Sequence, residues 1–325
     1  MKMTARKRIL FLINPVSGSS PGPVLEARIR NALSAAGVGP DQYDTVFTSP
    51  EISSQVKELA PGYEIVVGVG GDGTFGGIMQ AAARMENVPK LGIIPYGVGN
   101  DLARSLGMFP ILKTKGVHET LGVILRGKTK KVDVLEVSGD SLFAGYFGAG
   151  NDALTSNTFN RLRPRAFKPA AGVRILVNNA LYGLLAVRNL VYTIPFSFQL
   201  KYTDKRGNYK VYNVPADIHG ILITNTSIYA GGAIISSKTD MSDGFFEVTI
   251  IRKLAEWWSM HFTRFFRCPL DVLCPNVIQF QTDSLQVVLD GKTFYQLDGE
   301  KPGQSVSIKN VLDFRIIGQV EMIVP

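Results

Sequence analysis

The chain has 325 residues, 45% hydrophobic and 19% charged, enough apolar material for a sizeable core and too ordered a composition for a disordered chain. A formal charge of +8 leaves two readings, an anionic partner or ordinary solubility. Two cysteines, Cys268 and Cys274, and three scattered histidines exclude a disulfide framework and a zinc cluster, and this cysteine usage makes the cytoplasm the expected location. The basic start (Lys2, Arg6, Lys7, Arg8) followed by Ile9–Ile13 imitates a secretory signal, but Asn14-Pro15 stops the apolar run too early. No stretch approaches the about 18 apolar residues of a membrane span.

In chain order, "RILFLIN" predicts a strand and "PVLEARIRNALSAAG" a helix closed by Gly37. "YDTVFTS" and "EISSQVKELAPG" repeat that pair, with the second helix ending at Pro61-Gly62. "YEIVVGV" is a strand, followed by a helix "TFGGIMQAAARM" starting at Thr74. "PKLGIIP" is a strand, followed by a helix "NDLARSLG" with its start signal at Asn100. Strands alternating with helices predict a parallel sheet covered on both faces. From about residue 132 the pattern changes. "KVDVLEVSGDSLFAGYFG" reads as a hairpin turning at 138–140, and residues 189–215 as two strands joined at Lys205–Asn208. Further strands are expected at 217–224, 244–252, 284–290, 293–297 and 304–309, with helices near 170–187 and 253–266. This is an antiparallel, sandwich-like second domain. The last strand, "FRIIGQVEMIVP", is placed as a return to the first domain.

Chemistry concentrates in the loops. Gly68-Val69-Gly70-Gly71-Asp72-Gly73 satisfies the dinucleotide fingerprint formally, yet the next strand ends in Pro95-Tyr96 and offers no ribose-binding acid. An aspartate inside the loop would also repel a pyrophosphate. No Gly-Lys-Ser/Thr follows, which excludes a Walker A loop. A carboxylate beside phosphates makes sense when Mg²⁺ sits between them. The backbone N–H groups of Gly70, Gly71 and Gly73 and the start of the next helix would then cradle the phosphates. The competing reading is a tight turn with Asp72 as a helix N-cap. Two further loops, "NPVSG" (14–18) and "YGVGND" (96–101), follow strands of the same sheet and fall at the edge where α/β ligands bind.

Together "NPVSG", "GGDGT" and "GIIPYGVGNDLARSLG" resemble the catalytic domain of diacylglycerol kinases and their relatives, the sphingosine, ceramide and bacterial lipid kinases. More distantly they resemble NAD kinases and 6-phosphofructokinases. "KVDVLEV" (131–137), "FGAGNDA" (147–153), "ITNTSIYAGG…DMSDGFFEVTII" (223–251) and "DGE" (298–300) extend the resemblance over nearly the whole chain. It implies an α/β fold of two domains with the active site in the cleft between them. A doubly wound nucleotide domain would span 1–137 with a return at about 310–325, and a β-sandwich-like lipid domain would span 138–309. It implies transfer of the ATP γ-phosphoryl group to a lipid hydroxyl, with diacylglycerol giving phosphatidic acid. A sphingoid base, ceramide, a soluble NAD-kinase-like substrate, or a non-catalytic lipid-binding role remain as alternatives.

By matched position, Asp72 would face ATP through Mg²⁺, with Gly70, Gly71, Gly73 and Thr74 around the phosphates. Gly97, Gly99, Asn100 and Asp101 would complete the nucleotide side, and Asn14 and Ser17 would border it. Asp298 would be the general base on the lipid hydroxyl, supported by Glu300; the alternative for Asp298 is a solvated Asp-Gly turn. Asp133 would anchor the domain crossing by hydrogen bonding. Asp243 would hold a structural cation or merely form an Asp-Gly turn. The sequence departs from the family at Val98, where a threonine is usual, and at "AIISSK" (233–238), which lacks a proline. The implied partner is a lipid at a membrane surface with peripheral contact; no nucleic acid is expected, and a homodimer is compatible. "RLRPRAFK" (161–168) reads as an anionic-lipid docking segment or a solvated loop; the aromatics of "AEWWSMHFTRFF" (255–266) are a second membrane signal, for which helical spacing favours core packing.

Overall fold

The computed structural model describes residues 8–17, 21–97, 99–138, 141–143, 145–162, 171–298 and 311–325, with backbone alone at 171–176, 178 and 179. The chain forms two compact units, residues 1–132 with 318–325, and residues 133–317.

In the first unit, strands β1 (Ile9–Ile13), β2 (Tyr43–Phe47), β3 (Ile65–Gly70) and β4 (Lys90–Pro95) alternate with helices α1 (Gly22–Ala35), α2 (Ile52–Leu59) and α3 (Asp72–Ala82). Helices α4 (Asp101–Ser105) and α5 (Met108–Arg126) follow. The strands are parallel in the order β2-β1-β3-β4. β1 and β3 are buried along their whole lengths, as expected of strands with helices on both faces. α1 packs with α5, and α2 with α3. Leu25, Ile29 and Leu33 of α1 are fully buried at helical spacing, each worth about 1.5–3 kcal/mol of transfer free energy. Gly37 ends α1 with φ +74, and Val38 N–H donates to Leu33 O. The order 2-1-3-4 reverses between β1 and β3. That is a topological switch point, where the following loops diverge and leave room for a ligand.

Two findings differ from the expected elements here. α3 begins at Asp72 rather than Thr74, with Gly71 as its N-cap, so Asp72 lies inside the first turn and is not the cap. Residues 108–126 form a long helix despite Pro110 and Gly116. Pro110 is accommodated in the first turn, and the chain kinks at Gly116 (φ 78, ψ −174) before continuing.

The second unit begins within β5 (Thr129–Val137) and contains β6 (Ser141–Phe143), β7 (Tyr146–Gly150), α6 (Asn151–Leu162) and α7 (Ala171–Arg188). Next come β8 (Phe198–Asp204), β9 (Tyr209–Val214), β10 (Gly220–Thr224), β11 (Ile228–Tyr229), β12 (Ala233–Ile234) and β13 (Phe246–Ile251). The unit continues with α8 (Leu254–Phe266), α9 (Leu270–Leu273), β14 (Ile278–Leu289), β15 (Tyr295–Leu297) and the first part of β16 (Val311–Ile323), whose residues from 318 on belong to the first unit. The antiparallel order is β15-β7-β10-β13-β14-β16. β14 pairs β13 through residues 278–282, then β8 and β16 through 284–289, with an irregularity between Thr282 and Leu285. One long strand thus passes between two layers at a bulge, as in sandwiches with corners. The core they enclose includes Phe147, Ile221, Ile223, Phe246, Val248, Leu285 and Phe314. The alternate residues Tyr146, Leu222 and Ile251 face a second core with Tyr229, Trp257, Met260 and Leu270. β10 and β13 are therefore buried on both faces.

The hairpin expected at 131–148 forms between β5 and β6, while β7 leaves it to pair β10 and β15. α6 was not expected, because "NDALTSNTFNRL" carries little apolar periodicity. The strand expected at 304–309 lies outside the described residues. The aromatic segment 255–266 corrects the core-packing expectation: Trp257 and Met260 are buried, but Trp258, Phe262, Phe265 and Phe266 are exposed.

Candidate active site

Three loops meet at the carboxyl edge of the parallel strands. Asn14 follows β1; its N–H donates to Val69 O, its Oδ1 accepts from Val16 N–H, and its Nδ2 donates to Thr74 Oγ1 at 2.9 Å. Ser17 Oγ donates to Tyr96 O, and Tyr96 N–H donates to Gly70 O at 2.7 Å. The first, third and fourth strands are thereby tied together by their own outgoing loops.

The glycines have a geometric reason. A Cβ on Gly97 would lie 2.3 Å from the Gly71 Cα, and one on Gly70 2.4 Å from Thr74 Oγ1. The backbone of "GGDGT" therefore rests directly on the backbone of "GVGND". Asn100 adopts a left-handed conformation (φ 54), which its short amide tolerates. Its side chain accepts from Gly97 N–H and donates to Gly97 O, closing the loop on itself.

Asp72 joins the two loops. Its Oδ2 accepts from Asn100 N–H at 2.7 Å, and the N–H groups of Asp101 and Leu102, at the start of α4, also face the carboxylate. It thus caps a helix other than its own. Its Oδ1 is buried without a hydrogen-bond partner. Burial raises the pKa of Asp72, and the backbone N–H groups oppose that shift. The Gly99 backbone lies between two carboxylates: a Cβ there would be 2.8 Å from Asp72 Oδ2 and 3.7 Å from Asp101 Oδ2. An orphaned buried carboxylate oxygen with a second acid beside it suits a divalent cation. Among the described residues no three His, Cys, Asp or Glu side chains come together. A cation here would complete its shell with water and phosphate oxygens, the habit of Mg²⁺.

The other residues fall as follows. Thr74, Asn100 and Asp101 are buried, and the Thr74 hydroxyl oxygen accepts from Asn14 rather than facing solvent. Arg104 is a cation that the sequence reading passed over. Its Nε donates to Gly99 O at 2.9 Å and its guanidinium lies 3.9 Å from the Phe109 ring centroid. As the one basic residue in "GNDLARSLG", it was visible in the sequence. Val98 lies outside the described residues.

In the second unit Asp298 follows β15 in a left-handed conformation (φ 47). Its Oδ1 accepts from Gly145 N–H at 3.0 Å and Tyr146 N–H at 2.7 Å, and its own N–H donates to Tyr146 O. The carboxylate is thus held at the start of β7. Glu300 lies outside the described residues. Asp133 is fully buried; its Oδ2 accepts from Gly244 N–H and its carbonyl from Asn225 Nδ2, which fastens the 240–244 turn. Asp243 forms an ion pair with Lys205 at 2.9 Å, and its Oδ1 accepts from Phe245 N–H. An ammonium group thus meets this carboxylate inside an Asp-Gly turn.

A further polar cluster centres on Asp152, in the first turn of α6. Gly150 (φ +105) turns the chain there, and a Cβ on it would lie 2.5 Å from His219 O. Asp152 accepts from Tyr182 Oη and from Gln296 Nε2 at 3.2 Å. Burial, with the Asp152 charge adding, holds the Tyr229 phenol well above its usual range. Asp152 and Tyr229 lie in the motif stretches 147–153 and 223–232, but their meeting with Tyr182 and Gln296 joins segments far apart in the chain.

Two family models match the chain. The diacylglycerol kinase catalytic domain matches residues 8–137 and the diacylglycerol kinase accessory domain residues 142–301. A diacylglycerol kinase of Bacillus subtilis (strain 168) is 22% identical over 311 residues, 93% of this chain and 94% of the relative. One from Mycobacterium tuberculosis (strain CDC 1551 / Oshkosh) is 27% identical over 253 residues, 75% of this chain and 72% of the relative. A crystal structure described as a diacylglycerol kinase from Bacillus anthracis str. Sterne shares the fold, with TM-score 0.69 and 20% identity, covering 99% of both chains. The chain belongs to the diacylglycerol kinase family of lipid kinases.

Proposed function

We propose that the protein transfers the γ-phosphoryl group of ATP to the free hydroxyl of diacylglycerol, giving phosphatidic acid. The observation that carries this reading is the junction of three loops at the switch point of the first unit, with the partly unpaired Asp72 carboxylate inside it. Backbone N–H groups of the glycine loops and the N-terminal end of α3 would hold the phosphates. Asp72 and Asp101 are the residues to hold Mg²⁺, which would neutralise charge on the phosphate oxygens. Arg104, five residues beyond Gly99, adds a fixed positive charge to the same loop. Asp298 would take the proton of the acceptor hydroxyl. A carboxylate oriented by two backbone N–H groups is positioned for that task without side-chain freedom to lose.

The test has two arms. In mixed micelles with radiolabelled ATP, diacylglycerol should accept label in preference to sphingosine and ceramide; label on another lipid, or on none, overturns the substrate assignment. Asp298→Asn should lower kcat by about 10²–10⁴-fold, the usual weight of a general base, while ATP affinity by calorimetry stays within a few-fold. Its amide oxygen can still accept from Gly145 and Tyr146, so the fold should persist. A parallel collapse of ATP binding would move Asp298 into the nucleotide shell instead.

A further inference from the structure

Helix α8 has two apolar faces, and among the described residues only one of them has a partner. Trp257, Met260 and Thr263 are buried, with Trp257 and Met260 in the second core beside Tyr229 and Leu270. At 100° per residue, Leu254, Ala255, Trp258, Phe262, Phe265 and Phe266 fall on the opposite side, and all six are exposed. A surface helix ordinarily turns charged and polar residues to water on that side. Here Phe262 is 44%, Phe265 72% and Phe266 67% exposed. The rings form one patch: Trp258 stacks with Phe262 at 6.1 Å, and Phe262 lies 6.3 Å from both Phe265 and Phe266. Rings of roughly 150–250 Å² each, at these exposures, leave on the order of 400 Å² of aromatic surface in water. Continuous apolar patches of that size usually serve an interaction. Val272 and Leu273 of α9 are exposed as well.

The charges around the patch select the partner. Lys253, Arg264 and Arg267 are exposed at the two ends of α8, and the Arg264 guanidinium lies over the Phe265 ring at 5.5 Å. The only carboxylate on the helix, Glu256, is buried on the inner side. It accepts there from the Arg252 and Lys253 N–H groups and pairs with the Arg252 guanidinium. The outer face is therefore aromatic and aliphatic with cationic ends and no acid. A helix of that pattern fits the interface of a bilayer containing anionic lipids, rings among the acyl chains and cations among the headgroups. At 13 residues, about 20 Å, α8 is too short to cross the hydrocarbon core and would lie along its surface.

We infer that the outer face of α8, Trp258, Phe262, Phe265 and Phe266 with Arg264 and Arg267, is the surface by which this protein docks on anionic membranes. The biological sense of docking rests on the lipid-kinase reading, but its test does not use lipid turnover. The chain has two tryptophans, and Trp257 is buried, so changes in fluorescence on vesicle binding report on Trp258. With phosphatidylglycerol–phosphatidylcholine vesicles free of diacylglycerol, the emission should shift to the blue and be quenched by brominated acyl chains. Partitioning of Phe265→Ser/Phe266→Ser should fall at least tenfold. Arg264→Glu/Arg267→Glu should lose binding to anionic vesicles and not to pure phosphatidylcholine. Both variants alter exposed side chains, and their melting temperatures should stay near wild type.

Unchanged partitioning of both variants, or no quenching by brominated lipid, overturns the inference. So does a wild-type dimer in sedimentation that the double Phe variant dissociates while Trp258 stays unquenched, since a second copy would then cover the face. A wild type that docks in this way but phosphorylates no lipid leaves the docking surface standing and removes the kinase reading instead.

Discussion

Asp72 serves the fold and the proposed chemistry with different oxygens. Oδ2 accepts from the start of α4, and Oδ1 is buried without a partner. Asp72→Asn keeps an acceptor for Asn100 N–H but loses the charge that a cation requires. The variant should fold and bind poorly to Mg²⁺·ATP, with kcat reduced more than tenfold. A smaller loss, under about 1.4 kcal/mol in barrier, would assign Asp72 to the loop structure alone. The tightest neighbour of a Cβ at Gly97 is the Gly71 backbone, at 2.3 Å, so Gly97→Ala cannot be relieved by a rotamer change. Overpacking of this kind costs about 1–3 kcal/mol. Urea unfolding should show that loss, accompanied by weaker ATP binding as the two glycine loops separate. Gly37→Ala is the control: φ is +74 and the space around it is open, so strain of about 1 kcal/mol should appear without any change in nucleotide affinity.

At the scale of elements, β13 carries a charge where its strand is buried on both faces. Glu247 is 1% exposed, its Oε1 accepts from Gln281 Nε2 of β14 at 2.7 Å, and its Oε2 is buried without a partner. Burial pushes its pKa up to about 7, against the opposing Gln281 hydrogen bond. The sign follows from proton uptake. Between the ordinary glutamate value of 4.5 and about 7, the folded chain holds a proton that the unfolded chain has released. Stability contributed by the neutral form is therefore complete at low pH and is lost as pH rises through that window, by about 3 kcal/mol at most. Glu247→Gln removes the titration. Urea unfolding should find the variant more stable than wild type at pH 8 and close to it at pH 5. Equal stability at both pH values would show that Glu247 titrates normally.

Elements also show where local pattern stops informing. Alternation identified β8 and β9, and the Lys205–Asn208 turn between them, because one face of that hairpin is wet. It did not identify the start of β14 at Ile278, where "IQFQTD" alternates but lies outside the expected strand. α5 was hidden by Pro110 and Gly116, residues that break helices in isolation and are tolerated here through a first-turn position and a kink.

At the scale of the molecule, β16 supplies residues to both units. Residues 311–315 pair β14, while Met322 pairs Leu91 of β4, and Val324 N–H donates to Lys128 O. Val320, Met322 and Ile323 are all buried. At about 1.5–3 kcal/mol each, their removal approaches the whole stability of an ordinary domain. A chain ending at residue 317 should lose ATP binding, and limited proteolysis should cut preferentially within residues 8–132. Unchanged protection of that segment would show that the return strand is dispensable.

Residue order alone determined the alternation of strands and helices in the first unit and placed three Gly/Asn loops behind strands at one edge. Both depend on signals spanning a few residues: apolar runs, helix caps, and glycines where backbone must turn. It also carried the acids within the motifs that resemble the family, Asp72, Asp101 and Asp298. Tertiary structure alone decided which glycine meets which loop, why Asp72 caps α4 instead of its own helix, and that Asp152 gathers Tyr182 and Gln296. These are contacts between distant segments. Helix α8 shows the reason most directly: its apolar residues fall on both of its faces, so periodicity cannot distinguish the buried face from the wet one. Only packing against Tyr229 and Leu270 chose Trp257 for the core and left Trp258 and Phe262 outside.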